Sequence, residues 1–245
     1  MKEALIYFLA ITISEVITVT IAPLWGIVCH IVVLIALILH SVLVSRQTLQ
    51  RLLISLALVP LIRIVSLSVP LANIPRDWWY PIIYTPLLIA ALEVVRITGY
   101  PLKQIGLTLN KARVQLLIAL SGLAIGVIEY YILRPEPMIP EFAWQEIWLP
   151  ALIFLLFTGF VEELIFRGVL QNTALEEYGN WGIIYISLLF AIVHMIHHSP
   201  LDIAFVFAVA VYFGWVVKRT GSLLGVSLAH GIANSILYLI IPFFF

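Results

Sequence analysis

The stretch GIVCHIVVLIALILHSVLV, residues 26–44, contains no Asp, Glu, Lys or Arg. About 20 helical residues cross the hydrocarbon core of a bilayer. There, every backbone N–H and C=O must be satisfied within its own segment, which a helix achieves and an open strand does not. The stretch therefore predicts a membrane-spanning helix. Runs of the same kind, bounded by polar, Pro or Gly residues, recur at 4–22, 52–73, 80–99, 114–133, 147–167, 182–198, 201–217 and 222–243. The two-residue alternation of a membrane β-barrel is absent. The expected fold is an all-α, polytopic transmembrane helix bundle of eight or nine spans, with 80–99 and 201–217 the least well bounded.

Composition agrees with that reading. Of 245 residues, 63% are hydrophobic and 11% charged, and the mean hydropathy is +1.12. That is too little polar surface for a soluble domain and too much apolar content for disorder. The 13 basic and 13 acidic residues cancel, so no net field draws the chain to nucleic acid. Membrane lipid is the expected environment. The single cysteine, Cys29, can form no intrachain disulfide and reads as a small buried hydrophobe. The first run lacks a small-x-small cleavage site and is read as a retained span.

Basic residues set the expected orientation. Arg46 and Arg51, then Lys103, Lys111 and Arg113, then Lys218 and Arg219 mark even-numbered connections, whereas the fifth carries Glu136, Glu141 and Glu146. Even-numbered connections are expected to be cytoplasmic, and so is the N-terminus of this integral, multi-pass protein. With nine spans the C-terminus falls outside. Trp78, Trp79, Trp144 and Trp148 would form an aromatic belt at the opposite interface.

Ionisable residues inside spans are costly and therefore informative. Glu93 and Arg96 are three apart on one helix and suit a local ion pair. Glu15 and Arg63 are candidates for an interhelical pair. Arg96 and Glu129 lie near span ends and are read as snorkelling to the interface, and His30 and His40 as solitary packed histidines.

The last hundred residues differ. They hold Glu162-Glu163-Leu164-Ile165-Phe166-Arg167-Gly168, then Phe190-Ala191-Ile192-Val193-His194, then His230-Gly231-Ile232-Ala233-Asn234. Residues four apart share a helical face, which aligns Glu163 with Arg167 and His230 with Asn234. Glu162 and Glu163 should point about 100° apart on an α-helix, in different directions. At about 1.5 Å per residue from the cytoplasmic ends of their runs, Glu162 lies roughly 9 Å deep, His230 roughly 12 Å and His194 roughly 18 Å. Boundary shifts of a few residues cover that spread, so the geometry allows a common polar cavity. His197 and His198 follow at a span end and read as interfacial, although His198 would share a helical face with His194.

These motifs resemble the CAAX protease and bacteriocin-processing family of intramembrane endopeptidases, over about residues 147–240. The resemblance implies two parts: residues 1–140, transmembrane helices without a recognised motif, and residues 141–245, a CAAX-protease-like catalytic core. It implies Glu162 as general base acting with His194 on water, and His230 with Asn234 stabilising the oxyanion. Glu163 and Arg167 are expected to form a supporting i,i+4 pair. The expected substrate is a membrane-tethered peptide or lipidated protein, prenylated CAAX-like or leader-peptide. No cofactor is expected. Zinc is the alternative, with Glu162, His194 and His230 as its ligands, but no His-Glu-x-x-His helix is present. Two other readings compete: a non-catalytic membrane immunity or binding protein on the same scaffold, and a proton-coupled transporter. The inverted repeats and broken helices of the latter are not seen.

Overall fold

The computed structural model describes residues 2–245, and the chain is all-helical with no strand among them. Among the described residues nine helices follow in order: α1 Lys2–Thr20, α2 Pro23–Leu43, α3 Gln47–Ser68, α4 Arg76–Thr98, α5 Ala112–Leu133, α6 Trp144–Tyr178, α7 Trp181–His197, α8 Pro200–Thr220 and α9 Leu224–Phe243. Eight of them are long and apolar enough to cross a membrane, and α7 is shorter. The expected 80–99 and 201–217 runs are full-length helices, so the uncertain member of the bundle is 182–198 instead.

Local chemistry explains the boundaries. Pro23 and Pro200 open α2 and α8, where a missing N–H is harmless, and the Ser199 hydroxyl accepts from the Asp202 N–H at 3.2 Å. Gly99 and Gly221 close α4 and α8 in the left-handed region, at φ 73° and 70°. The largest departure from expectation is α6, which runs eleven residues beyond the predicted 167 end. Its middle, Phe154–Glu162 and Leu164–Leu170, is wound as π-helix.

Beside an apolar core, many large apolar side chains face outward and several charged ones are buried. Leu5, Leu9 and Ile13 of α1 and Val32, Ile35 and Leu39 of α2 are exposed, while Glu15, His30, Glu163, Arg167 and Asp202 are buried. Helix α9 is central, packed between α5 and α6. A Cβ on Gly122 of α5 would lie 2.2 Å from the Ala229 carbonyl, and one on Gly159 of α6 would lie 2.5 Å from that of Ser227. Only glycine lets these backbones approach so closely, as in membrane helix pairs generally.

The two ends of the bundle are distinct. At one end Arg46 pairs with Glu177, Arg51 with Glu176, Lys218 with Asn180, and Lys111 with the Arg219 carbonyl. Tyr185, early in α7, donates to the Ala4 carbonyl at this same end. At the other end the Met138 N–H donates to the Tyr238 carbonyl, Phe142 packs on Phe244, and residues 18–23 form a cleft with Leu67, Ile196 and His198. Helix α7 therefore joins the two ends despite its length, and the chain passes between them nine times.

Candidate functional site

A cavity of about 230 Å³ lies within the bundle, and Glu162, His194, His230 and Asn234 all line it. Glu163 and Arg167 stand behind it, buried. The motifs separated by up to about seventy residues of sequence thus meet in one place, because α6 packs closely on α9 at Gly159 and Gly231 and on α7 at Gly182.

His230 is held on both edges. Its Nδ1 lies 2.9 Å from Glu163 Oε1, and its Nε2 lies 3.9 Å from Glu162 Oε2. Glu162 lines the cavity whereas Glu163 is fully buried behind it, so the two carboxylates meet the ring from different sides. The π-winding of α6 widens the turn beyond the 3.6 residues of an α-helix, and both carboxylates address the same imidazole. The expected Glu163–Arg167 pair is present at 3.0 Å, fully buried, so Glu163 Oε1 accepts from Arg167 and His230 together.

Phe190, the first residue of the Phe-x-x-x-His motif, is a hub. The Arg167 guanidinium sits 4.2 Å from its ring centroid, and the His194 ring lies 4.6 Å away. His194 itself sits where α7 changes from α-helix to a 3₁₀ turn. Its Nδ1 is 2.7 Å from the Phe190 carbonyl. A carbonyl only accepts, so Nδ1 carries the proton and Nε2 is the nitrogen left to the cavity. Asn234 donates one amide N–H to Thr158 Oγ1 at 2.9 Å, which leaves the other N–H unused by that bond.

Several contributors lie outside the recognised motifs. The Tyr84 hydroxyl of α4 donates to Glu162 Oε1. Arg63 of α3 lines the cavity and donates to the Val193 carbonyl at 2.6 Å, one residue before His194. Behind it, Glu15 accepts from Arg63 at 3.0 Å, and His30 Nε2 lies 3.4 Å from Glu15. Glu15 and Arg63 therefore do meet. His30 is a neighbour of that pair, and His40 bonds the Tyr7 hydroxyl at 3.0 Å, so neither histidine is solitary. Sequence offered one signal for Tyr84: hydroxyl-bearing aromatics among prolines in Tyr80-Pro81 and Tyr84-Thr85-Pro86, in the first half of a span.

Other expectations divide. Glu93 and Arg96 form the i,i+3 pair at 2.9 Å on an exposed face. Glu129 does not snorkel but lines the cavity, because α5 is tightly pressed on α9 at Gly122 and Gly126. His197 bonds buried Asp202 at 2.9 Å. His198 does not share a face with His194, since the 3₁₀ turn ends at His197 and His198 is left-handed at φ 54°. As for metal, no three His, Cys, Asp or Glu residues among those described are grouped to hold an ion. The trio Glu162, His194 and His230 does not form such a group.

Residues 142–236 match the family model described as Type II CAAX prenyl endopeptidase Rce1-like. The match spans well under half of the chain, and the similarity is confined to this C-terminal segment. No curated protein and no solved structure matches the chain.

Proposed function

From the premise that residues 142–236 are of CAAX-protease type, we propose that the chain is an intramembrane endopeptidase. The observation that carries the reading is the convergence of Glu162, His194, His230 and Asn234 on one cavity within the helix bundle. In this reading the Glu162 carboxylate takes a proton from water while His194 Nε2 accepts the water's other hydrogen bond. The hydroxide oxygen bonds the scissile carbonyl carbon. The carbonyl oxygen, now an oxyanion, is met by the Asn234 N–H not used by Thr158 and by His230 Nε2–H. Because Nδ1 of His230 already donates to Glu163, the oxyanion role requires its doubly protonated ring. Glu162 then returns its proton to the leaving nitrogen as the C–N bond breaks. Tyr84 holds the Glu162 carboxylate by one oxygen, leaving the other for water. Glu163 and Arg167 orient His230 and contact no substrate. The basic end of the bundle is the cytoplasmic one, by the positive-inside rule, and the substrate is a membrane-tethered peptide or lipidated protein.

The test is Glu162→Gln, which keeps volume and removes the base. Cleavage of a membrane-tethered peptide by the purified variant should fall by about 10²–10⁴-fold, the usual worth of a positioned acid–base group, with unchanged melting in detergent. Cleavage at wild-type rate by this variant overturns the reading. If the wild type itself cleaves nothing while a complementation assay shows protection, the chain is a non-catalytic immunity or binding protein on this scaffold.

A further inference from the structure

The cavity has a closed floor and an open mouth, and the two point to opposite ends of the bundle. On the side of the basic end, the rings of Phe166, Phe190 and Phe213 line it, exposed by 1%, 4% and 2%. Arg167 lies beyond them with its guanidinium over the Phe190 and Phe213 rings. Further toward that end the 99–111 connection seals α9, with the Leu223 N–H donating to the Gly106 carbonyl at 2.9 Å. No route from the basic connections passes this plug without displacing buried aromatic side chains.

The remaining lining residues lie toward the other end. Ser66 is two residues from the end of α3, Tyr80 four from the start of α4, Glu129 four from the end of α5 and Phe205 five from the start of α8. At about 1.5 Å per residue these positions are within roughly 3–8 Å of the helix ends. Ile196, 41% exposed, completes the mouth. This end carries Arg76 and Arg134 against Asp77, Glu136, Glu141 and Glu146, whereas Arg46, Arg51, Lys103, Lys111, Arg113, Lys218 and Arg219 crowd the opposite one. The bias of Lys and Arg in short loops toward the cytoplasm therefore puts the plug inside and the mouth outside.

We infer that the cavity is entered from the non-cytoplasmic side, so that its substrate class is an exported or outward-facing membrane-anchored peptide and not a lipidated C-terminus presented from the cytoplasm. The word substrate rests on the endopeptidase reading above; the direction of access does not. The inference narrows the two substrate types that the family resemblance leaves open.

Accessibility measures it directly. In a Cys29→Ser background, Ser66→Cys and Ile196→Cys report the mouth and Lys103→Cys reports the basic end. A small membrane-impermeant maleimide is applied to right-side-out spheroplasts and to inverted vesicles. The mouth cysteines should be labelled in spheroplasts, and Lys103→Cys only in inverted vesicles. Labelling of both mouth positions solely in inverted vesicles overturns the inference. So does labelling in neither preparation when the denatured proteins react. Activity is scored separately: external labelling of Ser66→Cys should block cleavage of a peptide tethered to the outer leaflet. External labelling without any peptidase activity in the unlabelled protein leaves the direction of access standing and removes the endopeptidase reading instead.

Discussion

Glu163 Oε1 accepts from Arg167 and from His230 at about the same distance, 3.0 and 2.9 Å, and these contacts set the imidazole that Glu162 faces from its other edge. A second buried charge pair, Glu15 with Arg63, works one layer out. Arg63 spends one guanidinium nitrogen on the Val193 carbonyl, which would otherwise be an unsatisfied acceptor where α7 loses its α-helical ladder. This pair carries its stability meaning in the difference between breaking it and replacing it. Glu15→Gln leaves the Arg63 charge buried without its counter-ion, a loss of about 3–5 kcal/mol for pairs of this kind, and should lower the detergent melting temperature markedly. The double variant Glu15→Met with Arg63→Met removes both charges and should melt closer to wild type. A double variant as unstable as the single one would show that the Arg63–Val193 bond, not the charge pair, is the important contact.

At the level of helices, what sequence made legible was type, and what it hid was winding and length. Every apolar run is a helix, because in lipid an apolar run has no alternative way to satisfy its backbone. The spacing of Glu163 and Arg167, or of Glu93 and Arg96, predicted contacts that depend on one turn alone. The π-winding of α6 left no such trace: it depends on how α6 meets α9, and that is a tertiary matter. Nor did run length reveal that α6 continues to Tyr178, since Gln171, Asn172 and Glu176 read as a polar stop. They find partners instead in the Gly214 carbonyl, the Gln104 carbonyl and Arg51. A pattern that was present but unused is Gly122-Leu123-Ala124-Ile125-Gly126, a small-xxx-small face of the kind that lets membrane helices touch. The crossing of α6 and α9 is as tight, with a Cβ on Gly231 falling 2.6 Å from the Leu155 backbone. Gly159→Val should therefore separate the two helices and draw the His230 ring away from Glu162 and Glu163. Overpacking of this kind costs about 1–3 kcal/mol, so the protein should still fold, with a loss of peptidase activity out of proportion to its modest drop in melting temperature. Full activity in Gly159→Val would mean that the π-wound segment repositions its carboxylates independently of α9.

For the molecule as a whole, the decisive element is α7, the helix too short to count as a span by length. Asn180, just before it, bonds Lys218 at the basic end, while Ile196 and His198 share a cleft with residues 18–23 at the other. The helix reaches across because its last turn is a 3₁₀ segment, His194–His197, which rises about 2.0 Å per residue against 1.5 Å, and because Arg63 meets its C-terminal carbonyl inside the bundle. Nine passes would place the two chain ends on opposite sides, and in the orientation proposed from the charge bias the Lys2 end is cytoplasmic. A fluorescent protein fused before Lys2 should fluoresce in intact cells. An alkaline phosphatase fused after Phe245 should be active, since it matures only in an oxidising, exported compartment. Deleting α7 from Trp181 to His197 changes an odd number of crossings to an even one, so phosphatase fused to any such chain that inserts should fall silent. Phosphatase inactive on the full chain, with the N-terminal fusion fluorescent, would mean that α7 does not complete a crossing.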